Sequence, residues 1–129
     1  MDLEALRLAE AFLSKKPEAL PGAMAFLLGA LERWPSAQVV TQKSQVGLRD
    51  PRPFCALTLP GKHVKGHPTP GAQLSLFLPR PLETDLLILA VEAYPGRFTN
   101  HLALPEPDGF CEELWAWTAE ARRFRCGNR

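Results

Sequence analysis

Leu3, Leu6, Ala9 and Leu13 recur at helical spacing with Phe12 beside them, which predicts a helix over residues 3–13, broken by Ser14-Lys15-Lys16-Pro17. Leu20, Met24, Leu27, Leu28 and Leu31 form a second apolar stripe, predicting a helix over 20–34 with Pro21 in its first turn and Pro35 at its end. Beyond Pro35 the period shortens from helical to alternating. Val40, Ser44, Val46 and Leu48 share one parity, and Val39, Thr41, Lys43 and Gln45 share the other, which fits one bent strand or two short ones. Residues 54–59 read as a strand, with Pro51 and Pro53 before it and Pro60-Gly61 after it. The Gly- and Pro-rich stretch 61–71 reads as a loop. Residues 73–78 alternate, with Leu74, Leu76 and Leu78 on one side.

Residues 85–92 are apolar on both faces, as in a buried central strand or a short helix, and the strand is preferred. Tyr94-Pro95-Gly96 is a turn. Residues 97–104 form a strand with Phe98, Leu102 and Leu104 on one face and Arg97, Thr99, His101 and Ala103 on the other. A last helix is predicted over 108–125, with Asp108 as N-cap, Glu112 and Glu113 in its first turn and arginines in its last. Its expected buried stripe is Phe110, Leu114, Trp117, Ala121 and Phe124, and Gly127 ends it. The whole predicts one α+β domain over 1–129: a helical pair (1–34), an antiparallel sheet of four to five strands (37–104), and a C-terminal helix packed on the sheet.

Composition narrows the function classes. A chain of 129 residues is long enough to bury roughly two thirds of its unfolded surface without staples. The net charge of +1 lacks the basic excess of a protein that grips nucleic acid through phosphates, so nucleic acid is disfavoured as a partner. The longest apolar run, residues 86–91, is far short of a membrane span, and the acidic start Met1-Asp2-Leu3-Glu4 does not resemble a signal peptide. A cytoplasmic location with no membrane partner is expected. Three cysteines without C-x-x-C spacing read as reduced thiols. Thirteen prolines, a single isoleucine and two asparagines read as the coding bias of a GC-rich bacterium.

Several segments together resemble a known family. Tyr94-Pro95-Gly96-Arg97-Phe98-Thr99-Asn100-His101, followed by Glu112-Glu113-Leu114-Trp115-Ala116-Trp117 and Glu120-Ala121, is similar to a bacterial domain of unknown function (DUF family 5655). Gln42-Lys43-Ser44-Gln45-Val46 and Phe54-Cys55-Ala56 look like that family's two earlier strands. The likeness runs from about Thr41 to Ala121 and includes the helical pair before it. It implies a module rather than a self-sufficient enzyme. Two positions depart from the family's pattern: Asn100 replaces the first of a pair of histidines, and Arg122 replaces an aromatic. A function that needs both histidines is therefore not expected here.

The candidate chemistry sits on the polar side of the last strand. Period 2 puts Arg97, Thr99 and His101 on one side, and Lys43 or Arg52 from neighbouring segments would add cationic donors. Such a face suits a small anionic ligand bound through its carboxylate or phosphate, or a protein partner. Alternatives are an enzyme using His101 as acid or base, and a weak nucleic-acid module using the basic loop Lys62–His67 and the C-terminal arginines. Trp115, beside Arg122 on the last helix, is a candidate interface anchor. His63 and His67 are four apart, but among glycines and prolines that spacing does not make a helical metal pair, and no metal or other cofactor is expected. No cysteine carries a catalytic signature, and there is no phosphate-binding, dinucleotide, zinc-protease or hydrolase motif. No catalytic residue is assigned.

Overall fold

The computed structural model describes residues 2–59 and 71–127. Helices α1 (Leu3–Leu13) and α2 (Leu20–Arg33) are joined by a short 3-10 turn (Pro17–Ala19). Six strands follow: β1 (Gln38–Thr41), β2 (Val46–Arg49), β3 (Pro53–Thr58), β4 (Gln73–Leu78), β5 (Leu87–Tyr94) and β6 (Arg97–Ala103). A 3-10 turn (Pro107–Gly109) leads into α3 (Glu112–Cys126). The α+β class stands, with six strands rather than four to five, because the alternating run after Pro35 is a hairpin of two short strands. The preference for a strand over 85–92 also holds. That strand is an edge strand rather than a buried central one.

The sheet is antiparallel throughout, in the order β1-β2-β3-β4-β6-β5. Gly96 turns β5 into β6 with φ of 75°, a left-handed conformation that costs a glycine nothing. Register fixes the two faces. Val39, Val46, Leu48, Cys55, Leu57, Leu74, Leu76, Leu78 and Leu102 line up across the strands and meet the helices in one contiguous core. An irregularity after Leu48 leaves Phe54 as an extra residue in β3; it is fully buried and meets Trp34 edge-on, ring centroids 6.1 Å apart.

α3 begins later than expected, with Cys111 rather than Asp108 at its N-cap position. Its buried face is also rotated. Leu114, Thr118, Ala121 and Arg122 are buried, whereas Phe124 is 40% exposed. The rotation follows from the α2–α3 seam, where Trp115 stacks on Phe26 at 5.1 Å with its rings 6° from parallel. The guanidinium of Arg33 covers Trp115 at 3.9 Å, and Phe110 and Trp34 close the sides. Gly29 makes the seam possible, because a Cβ there would lie 2.8 Å from the Trp115 ring. No described helix is long and apolar enough to cross a membrane.

Candidate functional site

The face of the sheet turned away from the helices carries Arg97, Thr99 and His101 together, as period 2 requires. Its neighbours come from register. Thr99 lies between Phe77 of β4 and Val91 of β5, and His101 lies between Ser75 and Leu89. Arg97 pairs with Tyr94. The polar row of β6 is therefore flanked by apolar side chains: Leu89, Val91 and Tyr94 are 44%, 43% and 63% exposed, and Phe77 is half-buried. The Arg97 guanidinium sits 5.1 Å from the Phe77 ring centre and 5.4 Å from that of Tyr94, which holds the cation in place by its apolar neighbours.

Toward the other end of β4 the face becomes buried. Ser75 Oγ lies 2.9 Å from His101 Nδ1, a hydrogen bond that orients the imidazole. Gln73 and its cross-strand neighbour Thr58 are buried, yet neither amide atom of Gln73 nor the hydroxyl of Thr58 has a hydrogen-bond partner. Arg97 Nε is likewise buried and unpartnered. An unsatisfied buried polar group costs about 1–3 kcal/mol, so this face holds unmet hydrogen-bonding capacity.

The other expected site residues fall in different places. Lys43 is exposed in the β1–β2 turn, three to four strands from β6 and at the opposite end of the strands from Arg97. At about 4.8 Å per strand it is roughly 14–19 Å away across the sheet, so it does not join the face. Arg52 lies in the turn before β3, at the same end as Arg97 and only two strands over.

Trp115 and Arg122 do not present an interface. Trp115 fills the α2–α3 seam described above, and Arg122 is 8% exposed. Arg122 donates Nε and Nη2 to Asp50 Oδ2 at 2.9 and 2.7 Å, and the Ser36 hydroxyl donates to the same oxygen at 2.9 Å. The pair ties α3 to the β2–β3 turn. Asn100 is also structural. It is buried on the helix-facing side, accepts from Leu82 N–H at 2.7 Å and donates to the Arg80 carbonyl at 3.1 Å. Residues 100 and 101 therefore point to opposite faces of the sheet.

Cys55 is buried in the core, and burial pushes its thiol far above the usual range, so it is no nucleophile. His63 and His67 lie outside the described residues. Among the described residues, no cluster of three or more His, Cys, Asp and Glu could hold a metal. A cleft of about 570 Å³ opens between the start of α1, the end of α2 and β1, lined by Asp2, Ala5, Leu31, Gln38 and Val39 among others. It contains a carboxylate and no basic side chain, which suits an anion poorly.

Ser75, Phe77 and the apolar row of β5 were not singled out in the sequence, although the alternation of Gln73, Ser75 and Phe77 against the leucines of β4 marks that parity as facing away from the core. No protein-family model, curated protein or solved structure matches the chain.

Proposed function

We propose that this protein is a non-catalytic binding module that holds a small anionic molecule with an apolar body on the outer face of its sheet. The reading rests on one observation: Arg97, Thr99 and His101 form a polar row bounded by the apolar side chains of Leu89, Val91, Tyr94 and Phe77. A guanidinium beside exposed aromatic and aliphatic surface meets the charge of a carboxylate or phosphate and the flat or greasy part of the same ligand. Thermal unfolding against a panel of carboxylates, phosphates and nucleotides tests this reading. A ligand at a hundred times its dissociation constant adds about 2.7 kcal/mol of stability, which moves the midpoint by roughly 5–15 °C for a domain of this size. That shift should vanish in an Arg97→Ala/His101→Ala variant that still folds. A shift that survives the double substitution refutes the assignment.

A second reading, an enzyme using His101 as general base, draws on the Ser75–His101 hydrogen bond. Ser75 is buried, so its hydroxyl is not offered to a substrate, and the binding reading is preferred. A pH–rate profile with a limb set by His101 would reverse that preference.

A further inference from the structure

The end of the sheet that carries Arg97 also gathers two arginines from other parts of the chain. Arg52 sits in the turn before β3, and Arg125 sits in the last turn of α3. The two line one cleft of about 370 Å³ together with Pro51, Phe124, Cys126 and Gly127. Hydrogen bonds fix the walls of that cleft. Arg125 Nε donates to the Pro53 carbonyl at 3.3 Å, which leaves its two terminal nitrogens for another acceptor. The Cys126 thiol donates to the Arg52 carbonyl at 3.2 Å, and that same carbonyl accepts from Asp50 N–H at 3.0 Å. β3 and β6 are separated only by β4, so at about 4.8 Å per strand the backbones at Arg52 and Arg97 are roughly 10 Å apart at the same end of the sheet, although Arg97 does not line the cleft itself.

The three cations are not balanced from within. Among the described residues the ion pairs are Arg80–Glu120 and Arg122–Asp50, and no carboxylate pairs with Arg52, Arg97 or Arg125. The Arg125 guanidinium is held below its ordinary pKa by burial first, then by Arg97, then by Arg52. The charges of Arg97 and Arg52 therefore bear on Arg125 in the folded state. A cation in the last turn of α3 has an ordinary role in offsetting the helix dipole, and Arg123 and Arg125 both supply it. That role does not account for Arg52 or Arg97, which come from a turn and a strand.

We propose that Arg52 and Arg125 bind the dianionic head of a phosphate monoester in the cleft between the Pro51–Arg52 turn and the C-terminal end of α3, with Arg97 reaching it from the outer face at the same end of the sheet. This rests on the anion-binding reading above and names its ligand class. Guanidinium groups offer paired N–H donors that match phosphate oxygens, and a tetrahedral dianion can accept from three of them where a monocarboxylate can serve one well. The rest of the ligand then runs over Phe77 and Tyr94 onto the outer face.

The test is isothermal titration of the full chain with inorganic phosphate, a nucleoside 5′-monophosphate, acetate and a short DNA duplex. Arg52→Gln, Arg125→Gln and Arg97→Gln variants are titrated in parallel. The proposal predicts that the monophosphate binds, that acetate binds at least tenfold more weakly, and that each substitution weakens the monophosphate at least tenfold. If Arg125→Gln fails to fold, the side-chain Nε–H resonances of the wild-type protein replace it, and those of Arg52, Arg97 and Arg125 should shift on adding inorganic phosphate. Binding lost in Arg97→Gln but unchanged in the other two overturns the three-arginine site and leaves the outer-face reading standing. Binding unchanged in all three, or no binding by any probe, overturns both. Tight binding of the duplex alone, falling steeply with salt, assigns the cluster to a nucleic-acid backbone and overturns the small-molecule proposal.

Discussion

On the helix-facing side of the sheet, Asp50, Arg122 and Asn100 are held by partners from distant parts of the chain, and only the Thr41 hydroxyl is buried without one among the described residues. Arg122 meets Asp50 and Ser36, and Asn100 clamps the backbone at Arg80 and Leu82. On the opposite side, Gln73, Thr58 and Arg97 Nε are buried without partners, and three large apolar side chains of β5 are exposed. The same six strands supply both faces, so strand chemistry does not explain the difference. One face is built to be filled by the chain's own helices. The other retains hydrogen-bonding capacity and apolar surface that the described chain does not use.

That contrast is most easily broken at the buried ion pair. Arg122→Ala leaves Asp50 buried without its main partner, and such a loss costs about 3–5 kcal/mol; chemical denaturation should show it. An Asp50→Ala/Arg122→Leu double variant should recover part of that, because it removes both charges. A smaller effect is expected at the aromatic seam. Gly29→Ala places a methyl 2.8 Å from the Trp115 ring. Overpacking of this kind costs about 1–3 kcal/mol, offset in part by alanine's better helix propensity, and near-ultraviolet dichroism should report the disturbed Trp115–Phe26 stack.

The outer face should respond in the opposite direction. Gln73→Met replaces an amide that has no partner with an apolar chain of similar length, and a gain of about 1 kcal/mol is expected from the same denaturant curves. A loss would show that the amide is satisfied in solution and would weaken the comparison. Smallest of all, Arg97→Ala should cost no more than about 1 kcal/mol of stability, the scale of an exposed cation–aromatic contact. Its binding effect should be large all the same, and that separation of stability from binding distinguishes a ligand face from a structural one.

Most of the fold was legible because periodicity reports burial. The helical stripes of α1 and α2, the alternation of β4 and the polar side of β6 all follow from spacing alone. β5 misled because its apolar residues on both faces look like a central strand, whereas it lies at the sheet edge and exposes Leu89 and Val91. α3 misled for a tertiary reason. Trp115 is drawn into the seam by Phe26 and Gly29, which turns Phe124 outward and Arg122 inward. Of the candidate site, the row Arg97, Thr99 and His101 was readable from parity. The neighbours that give it meaning were not, because register and strand order decide them: β6 sits between β4 and β5, which brings Phe77 and Val91 beside Thr99 and puts Lys43 three to four strands away.

The most direct test of the account is a backbone amide shift map recorded while the anion panel is titrated into the wild-type protein. The account predicts that the shifts concentrate at Phe77, Val91, Tyr94, Arg97, Thr99 and His101. Shifts concentrated instead at Leu31, Ala37 and Val39, around the cleft beside α1, or no shifts with any anion, would contradict it.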